Sequence, residues 1–104
     1  MIHVVAVVTA KPGQRDRILE AFKGNAPAVR AERGCIEYVA TVDSANAPAM
    51  QTPYGADTVV VVEKWADMGA LEAHAAAPHM ASYAARTKEF IASRTIHVLS
   101  PVEK

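Results

Sequence analysis

Residues 57–66 read Asp57-Thr58-Val59-Val60-Val61-Val62-Glu63-Lys64-Trp65-Ala66, and they decide the fold. A β-branched run of this length between polar ends predicts a strand. Side chains alternate across a strand, so Val59, Val61, Glu63 and Trp65 share one face while Val60 and Val62 share the other. Both faces are therefore apolar. A sheet with one wet face would show clean polar alternation instead. Ile2–Thr9 (IHVVAVVT) has the same character, with Val4-Val5-Ala6-Val7-Val8 apolar at both parities, and it stops at the turn signal Lys11-Pro12-Gly13.

Outward from these two strands the pattern changes to helical spacing. From Gln14 onward, Ile18, Ala21, Phe22, Asn25 and Val29 fall on one helix face and Arg15, Arg17, Glu20 and Lys23 on the rest. Pro27 is expected to kink or divide that helix, because it lacks an N–H and crowds the preceding turn. Gly34 stands where a helix stop is expected. Cys35–Val42 (CIEYVATV) predicts a second strand, with Ile36, Tyr38, Ala40 and Val42 on one face. Asp67 is the expected N-cap of a helix from Met68 to about Ala76, and Pro78 restarts a helix at its first turn. Met80, Tyr83, Ala84, Thr87, Phe90 and Ile91 form the apolar face of that helix, and Thr95–Leu99 reads as a last strand. Asp43–Ala56 has no sustained period; a loop this long is a lid, a binding loop or a mobile insertion.

The order is β-α-β-β-α-β: an α+β, ferredoxin-like fold whose four-stranded antiparallel sheet carries helices on one face. The 104 residues fit one domain spanning residues 1–104. Helices cover only one side of such a sheet, so the valines on the other side need a partner. Each buried valine contributes on the order of 1.5–3 kcal/mol, and leaving them wet would create an aggregation-prone patch. Two-fold packing of one sheet on another, a homodimer closed into a dimeric α/β barrel, meets both requirements, and a loop of the same chain laid over the valines is the alternative.

Composition narrows the function. Eleven basic residues balance eleven acidic ones, so no net field draws in nucleic acid or an anionic membrane, and neither partner is expected. The lone cysteine, Cys35, cannot form an internal disulfide and suits a reducing compartment. No stretch approaches the roughly 20 apolar residues that span a bilayer. A cytoplasmic protein is the expectation.

The chemistry-bearing residues cluster in 62–83. Glu63 lies among apolar neighbours on its strand face, so its carboxylate should find a hydrogen-bonded partner or a raised pKa. Leu71 and His74, three apart, share a helix face. His79 follows Pro78 at the start of the next helix. The two histidines are five apart with a proline between them, which is not the spacing of a helical zinc motif, and no phosphate loop or nucleophile elbow is present.

Four features together are similar to the antibiotic-biosynthesis monooxygenase family: the Glu63-x-Trp65 strand end, Ala70-Leu71-x-x-His74, Pro78-His79, and Gly34-Cys35-x-x-Tyr38. That family includes quinol monooxygenases and haem-degrading relatives. The resemblance implies a ferredoxin-like subunit, a sheet-to-sheet dimer, and a pocket between sheet and helices for a small aromatic substrate. It implies oxygenation of a quinol or polyketide-like phenol by O₂ without metal, flavin or other cofactor. The substrate, once deprotonated, would reduce O₂ itself. In that scheme His74 or His79 is the base and Glu63 orients it. Trp65, Tyr83 and Tyr38 contact the ring or its oxygens. The same residues also have structural readings: Trp65 as core, Glu63 as an ion-pair partner, the histidines as helix-end groups, the tyrosines as packing. A non-catalytic, ligand-binding or stress-response dimer is therefore the alternative. A haem reading ranks below both, since haem-degrading relatives carry an asparagine on the first strand and Ile2–Thr9 has none.

Overall fold

The structure, a computed structural model, describes residues 1–103. The elements are β1 (Ile2–Ala10), α1 (Arg15–Arg30), β2 (Cys35–Thr41), β3 (Thr58–Trp65), α2 (Met68–Ala75), α3 (Pro78–Thr87), a 3₁₀ turn (Lys88–Phe90) and β4 (Ile91–Leu99). The strands form one antiparallel sheet in the order β2-β3-β1-β4. This is the ferredoxin-like α+β fold that the order of elements predicts.

The register explains where the core sits. β1 meets β3 with Val4 opposite Glu63, Ala6 opposite Val61 and Val8 opposite Val59. These six positions are buried on the helix-bearing face, where Phe22, Ala26 and Val29 of α1 pack over them together with Tyr38 and Trp65. The opposite face holds Val5, Val7, Val60 and Val62, all half-buried, flanked by Val39 at 40% exposure. In the strand order β2-β3-β1-β4 these valines form a continuous apolar strip across the two central strands.

Three expectations need correction. Helix α1 runs unbroken through Pro27. Pro27 lies in its last turn, where the missing N–H costs one bond, and its carbonyl still accepts from Ala31 N at 3.1 Å. In β2, Cys35 pairs with Trp65 and Glu37 with Lys64, so Ile36 is an extra, bulged residue at 53% exposure. The bulge reverses the parity: Cys35, not Ile36, shares the helix-side face with Tyr38 and Ala40. Val42 falls beyond the strand end. Finally, β4 begins at Ile91 rather than Thr95, because Ala10 pairs with Ile91 across an irregularity after Thr9 and Lys11 N donates to Phe90 O at 2.8 Å. Phe90 and Ile91 therefore leave α3, yet they still pack against Val8, Ala10 and Ile18.

Gly34, between α1 and β2, has φ +82°, and a Cβ there would lie 2.6 Å from the Ala70 Cβ. Only glycine fits both that backbone and that approach. Residues 43–56 form an irregular loop closed at its neck, where the Asp43 carboxylate accepts from Tyr54 N at 3.0 Å and Gly55 N at 2.8 Å. Those two bonds hold the Asp43 carboxyl below the usual range. No helix of the described residues is long and apolar enough to cross a membrane.

Candidate active site

A cavity of about 860 Å³ opens between the helix-bearing sheet face and α2–α3. Its walls are mostly apolar: Val4, Val61, Leu71, Met80, Ile96 and Val98 are typical. Polar side chains enter at few points, the pattern of a small-molecule site. No residue of the 43–56 loop lines it, so the loop is not its lid.

Two elements deliver the central pair. Asp67 caps α2 by accepting from Ala70 N at 2.8 Å. The cap fixes the start of this two-turn helix and so places His74, in its last turn, against the sheet. Period-two alternation on β3 brings Glu63 to the same face. Both line the cavity, with His74 5% and Glu63 7% exposed. Beneath them Trp65, with no exposed surface, donates its indole N–H to Glu63 Oε1 at 2.9 Å. The Trp65 ring lies 4.5 Å, centroid to centroid, from the His74 imidazole. Trp65 thus backs the site and does not itself form the wall.

Glu32, in the turn after α1, completes the arrangement and was not singled out by its sequence context. Its carboxylate sits 2.9 Å (Oε2) and 3.2 Å (Oε1) from His74 Nδ1, and Oε2 is 2.6 Å from His79 Nε2. A carboxylate only accepts, so His74 Nδ1 carries a hydrogen, and in the neutral imidazole Nε2 is then the nitrogen with the lone pair. That Nε2 is 4.0 Å from Glu63 Oε1. His79 lies on the far side of Glu32, its side chain 31% exposed, and does not line the cavity. The orienting carboxylate of His74 is hence Glu32, while Glu63 is held by Trp65 on the cavity side of the ring.

Electrostatics follow from burial. Desolvation raises the Glu63 carboxyl above its ordinary value; the Trp65 bond and the His74 neighbour pull it back only in part. Tyr38 is pushed well above the usual phenol range, first by burial and then by the Glu63 charge. Burial also raises Tyr83, against the opposing charges of Arg86 and Arg94. Both tyrosines line the cavity, and Phe22 separates them, stacked on Tyr38 at 4.8 Å and edge-on to Tyr83 at 6.5 Å. The structure therefore brings Glu63, His74, Tyr38 and Tyr83 to one cavity, with Trp65 behind them. Among the described residues no group of three His, Cys, Asp or Glu side chains is arranged to hold a metal ion.

This geometry can be set beside known proteins. Residues 1–86 match the model of the family described as antibiotic biosynthesis monooxygenase. The chain belongs to that family. A relative from Escherichia coli (strain K12), named "Probable quinol monooxygenase YgiN", is 34% identical over 103 residues, covering 97% of this chain and 98% of the relative. The same fold recurs in the crystal structure of PA3566 from Pseudomonas aeruginosa, with TM-score 0.80, 22% identity, and coverage of 97% of this chain and 93% of that one. Rv0793 from Mycobacterium tuberculosis is also similar, with TM-score 0.80, 22% identity, and coverage of 99% and 96%. The relative and both structures cover nearly the whole of this chain, so the cavity described above lies within the shared fold.

Proposed function

We propose that this chain is a cofactor-independent monooxygenase that oxidises a quinol-type dihydroxyaromatic with O₂. The observation that carries the reading is the His74 imidazole in the cavity wall, with Nδ1–H directed to Glu32 and Nε2 left as a base. Membership of the antibiotic biosynthesis monooxygenase family and the relative named as a quinol monooxygenase support it.

In this mechanism a substrate hydroxyl gives its proton to His74 Nε2. The imidazolium is stabilised by Glu32, whose two oxygens are within 3.2 Å of Nδ1. The electron-rich anion reduces O₂, and carbon–oxygen bond formation yields a ring peroxide. The O–O bond then breaks as the ring carbon loses hydrogen, the proton held on His74 goes to the departing oxygen, and water leaves. The balance is one quinol and one O₂ giving one hydroxyquinone and one water. Apolar walls exclude bulk water from the anion. Tyr38 and Tyr83, whose raised pKa values keep their hydroxyls protonated, serve as donors to substrate oxygens. Trp65 acts through Glu63 by fixing that carboxylate. His79 steadies Glu32 from the solvent side and is not the base.

The working unit in this account is a homodimer. The apolar strip of Val5, Val7, Val60 and Val62, only half-buried in the single chain, supports sheet-to-sheet packing of two copies. A single cysteine suits the reducing cytoplasm as the place of action. The test is oxygen consumption by the metal-stripped protein on a panel of hydroquinones. Uptake that requires His74 is expected, and a folded protein inert on the whole panel would overturn the reading.

A further inference from the structure

The cavity has two chemically different ends. Along β1, Val4 faces Glu63 on β3, whereas Val8 faces Arg94 on β4. Four residues of strand separate the two positions, about 13 Å at ~3.3 Å per residue, and two strand spacings add roughly 10 Å sideways. Glu63 and His74 occupy one end; Arg94 and Lys88 line the other, with Val4, Ala6, Ile96 and Val98 between them. Arg94 is near enough to Tyr83 for its charge to act on that phenol. Among the described residues, neither Arg94 nor Lys88 is in an ion pair with a carboxylate. Two cations without ion-pair partners, at the far end of a mostly apolar cavity, are placed to receive an anion.

We infer that the preferred substrate is an aryl quinol carrying a carboxylate at the end remote from the oxidised ring, bound by the Arg94 guanidinium with Lys88 beside it. The inference rests on the proposed function only in taking this cavity as the place where the ring binds. A guanidinium offers a planar fork that matches a carboxylate with two parallel bonds. The length of the cavity sets the spacing, so a simple benzoate-sized molecule would reach one end alone. About 860 Å³ leaves room for fused rings or a side chain that spans both ends. Because Arg94 stands at an exposed position on β4, the attraction is screened by salt.

The experiment uses a redox-inert probe, so its outcome does not depend on turnover. A dimethoxy-naphthalene bearing a terminal carboxylate on a short alkyl chain is titrated against the full-length protein by calorimetry, with its methyl ester as the comparison. The acid is expected to bind about tenfold or more tightly than the ester at low salt. That gap should close in Arg94→Met, narrow in Lys88→Met, and shrink as salt rises. An Arg94→Glu variant should prefer the ester. Equal binding of acid and ester, or a preference that survives Arg94→Met in a variant with wild-type circular dichroism, would overturn the inference. Failure of oxygen uptake on quinols, with the acid–ester gap intact, would instead remove the proposed function and leave the anion end standing.

Discussion

Glu32 Oε2 lies 2.9 Å from His74 Nδ1 and 2.6 Å from His79 Nε2. One carboxylate thus joins a histidine in the cavity wall to a half-exposed one outside it. The side chain of Glu32 is only 13% exposed, so the contact is shielded from water and stronger than a surface pair. Its chemical consequence is a defined tautomer for His74.

Glu32→Gln keeps the shape and loses the charge that stabilises the His74 imidazolium. It also allows the wrong tautomer, because an amide can donate as well as accept. The expected outcome is a fall in kcat of about 10²-fold with little change in KM. Steady-state oxygen uptake by the variant checks it; an unchanged kcat would leave Glu32 a packing residue. His79→Ala should cost far less, since His79 does not reach the cavity.

The Glu63 carboxyl is raised above its ordinary 4.5 by burial. The native state therefore binds the proton more tightly than the unfolded chain does. By linkage, stability falls as pH rises from about 4.5 through the native pKa. Glu63→Gln retains an acceptor for the Trp65 indole and removes the titration. Urea unfolding of both proteins should show a difference that grows in favour of the variant with rising pH and then levels. Trp65→Phe should act in the opposite sense, costing about 1–3 kcal/mol at neutral pH by leaving a buried carboxylate without its donor.

Val62→Glu tests the uncovered face. Val62 sits in the middle strand pair, opposite Val5 and Val39, so a charge there would be buried by sheet-to-sheet packing. Sedimentation of the wild type is expected at twice the chain mass, and of the variant at the chain mass. A monomeric wild type at high concentration would refute the dimer.

Gly34→Ala tests the approach of α2 to the turn before β2. The added Cβ meets Ala70 Cβ at 2.6 Å on a backbone at φ +82°. Strain and clash together should cost about 2 kcal/mol or more, read as a lower midpoint in thermal unfolding.

Much of this arrangement is legible in the sequence, and the exceptions have physical causes. The alternation of β3 places Glu63 and Trp65 on the core face. Asp67 and Pro78 mark two helix starts because capping and a missing N–H are local effects. Ile36 misleads because a bulge inserts a residue without changing the apolar pattern. Pro27 misleads because its penalty depends on its distance from the helix end. Ile91 reads as helix because its spacing from Thr87 suits one, and only pairing with Ala10 makes it strand. Glu32 is silent in the sequence: it lies 42 residues from His74, in a charged turn, and its role exists only once α2 folds back against β3. The cationic end of the cavity is equally non-local, since Arg94 faces it through the β1–β4 register.

The most direct measurement is turnover of a hydroquinone under ¹⁸O₂ by metal-stripped protein, followed by oxygen uptake and mass spectrometry of the product. The expected result is one O₂ consumed per quinol, one heavy oxygen in the hydroxyquinone, and a loss of about 10²-fold or more in His74→Ala. Unsubstituted quinone with hydrogen peroxide, or a rate that survives His74→Ala, would contradict it.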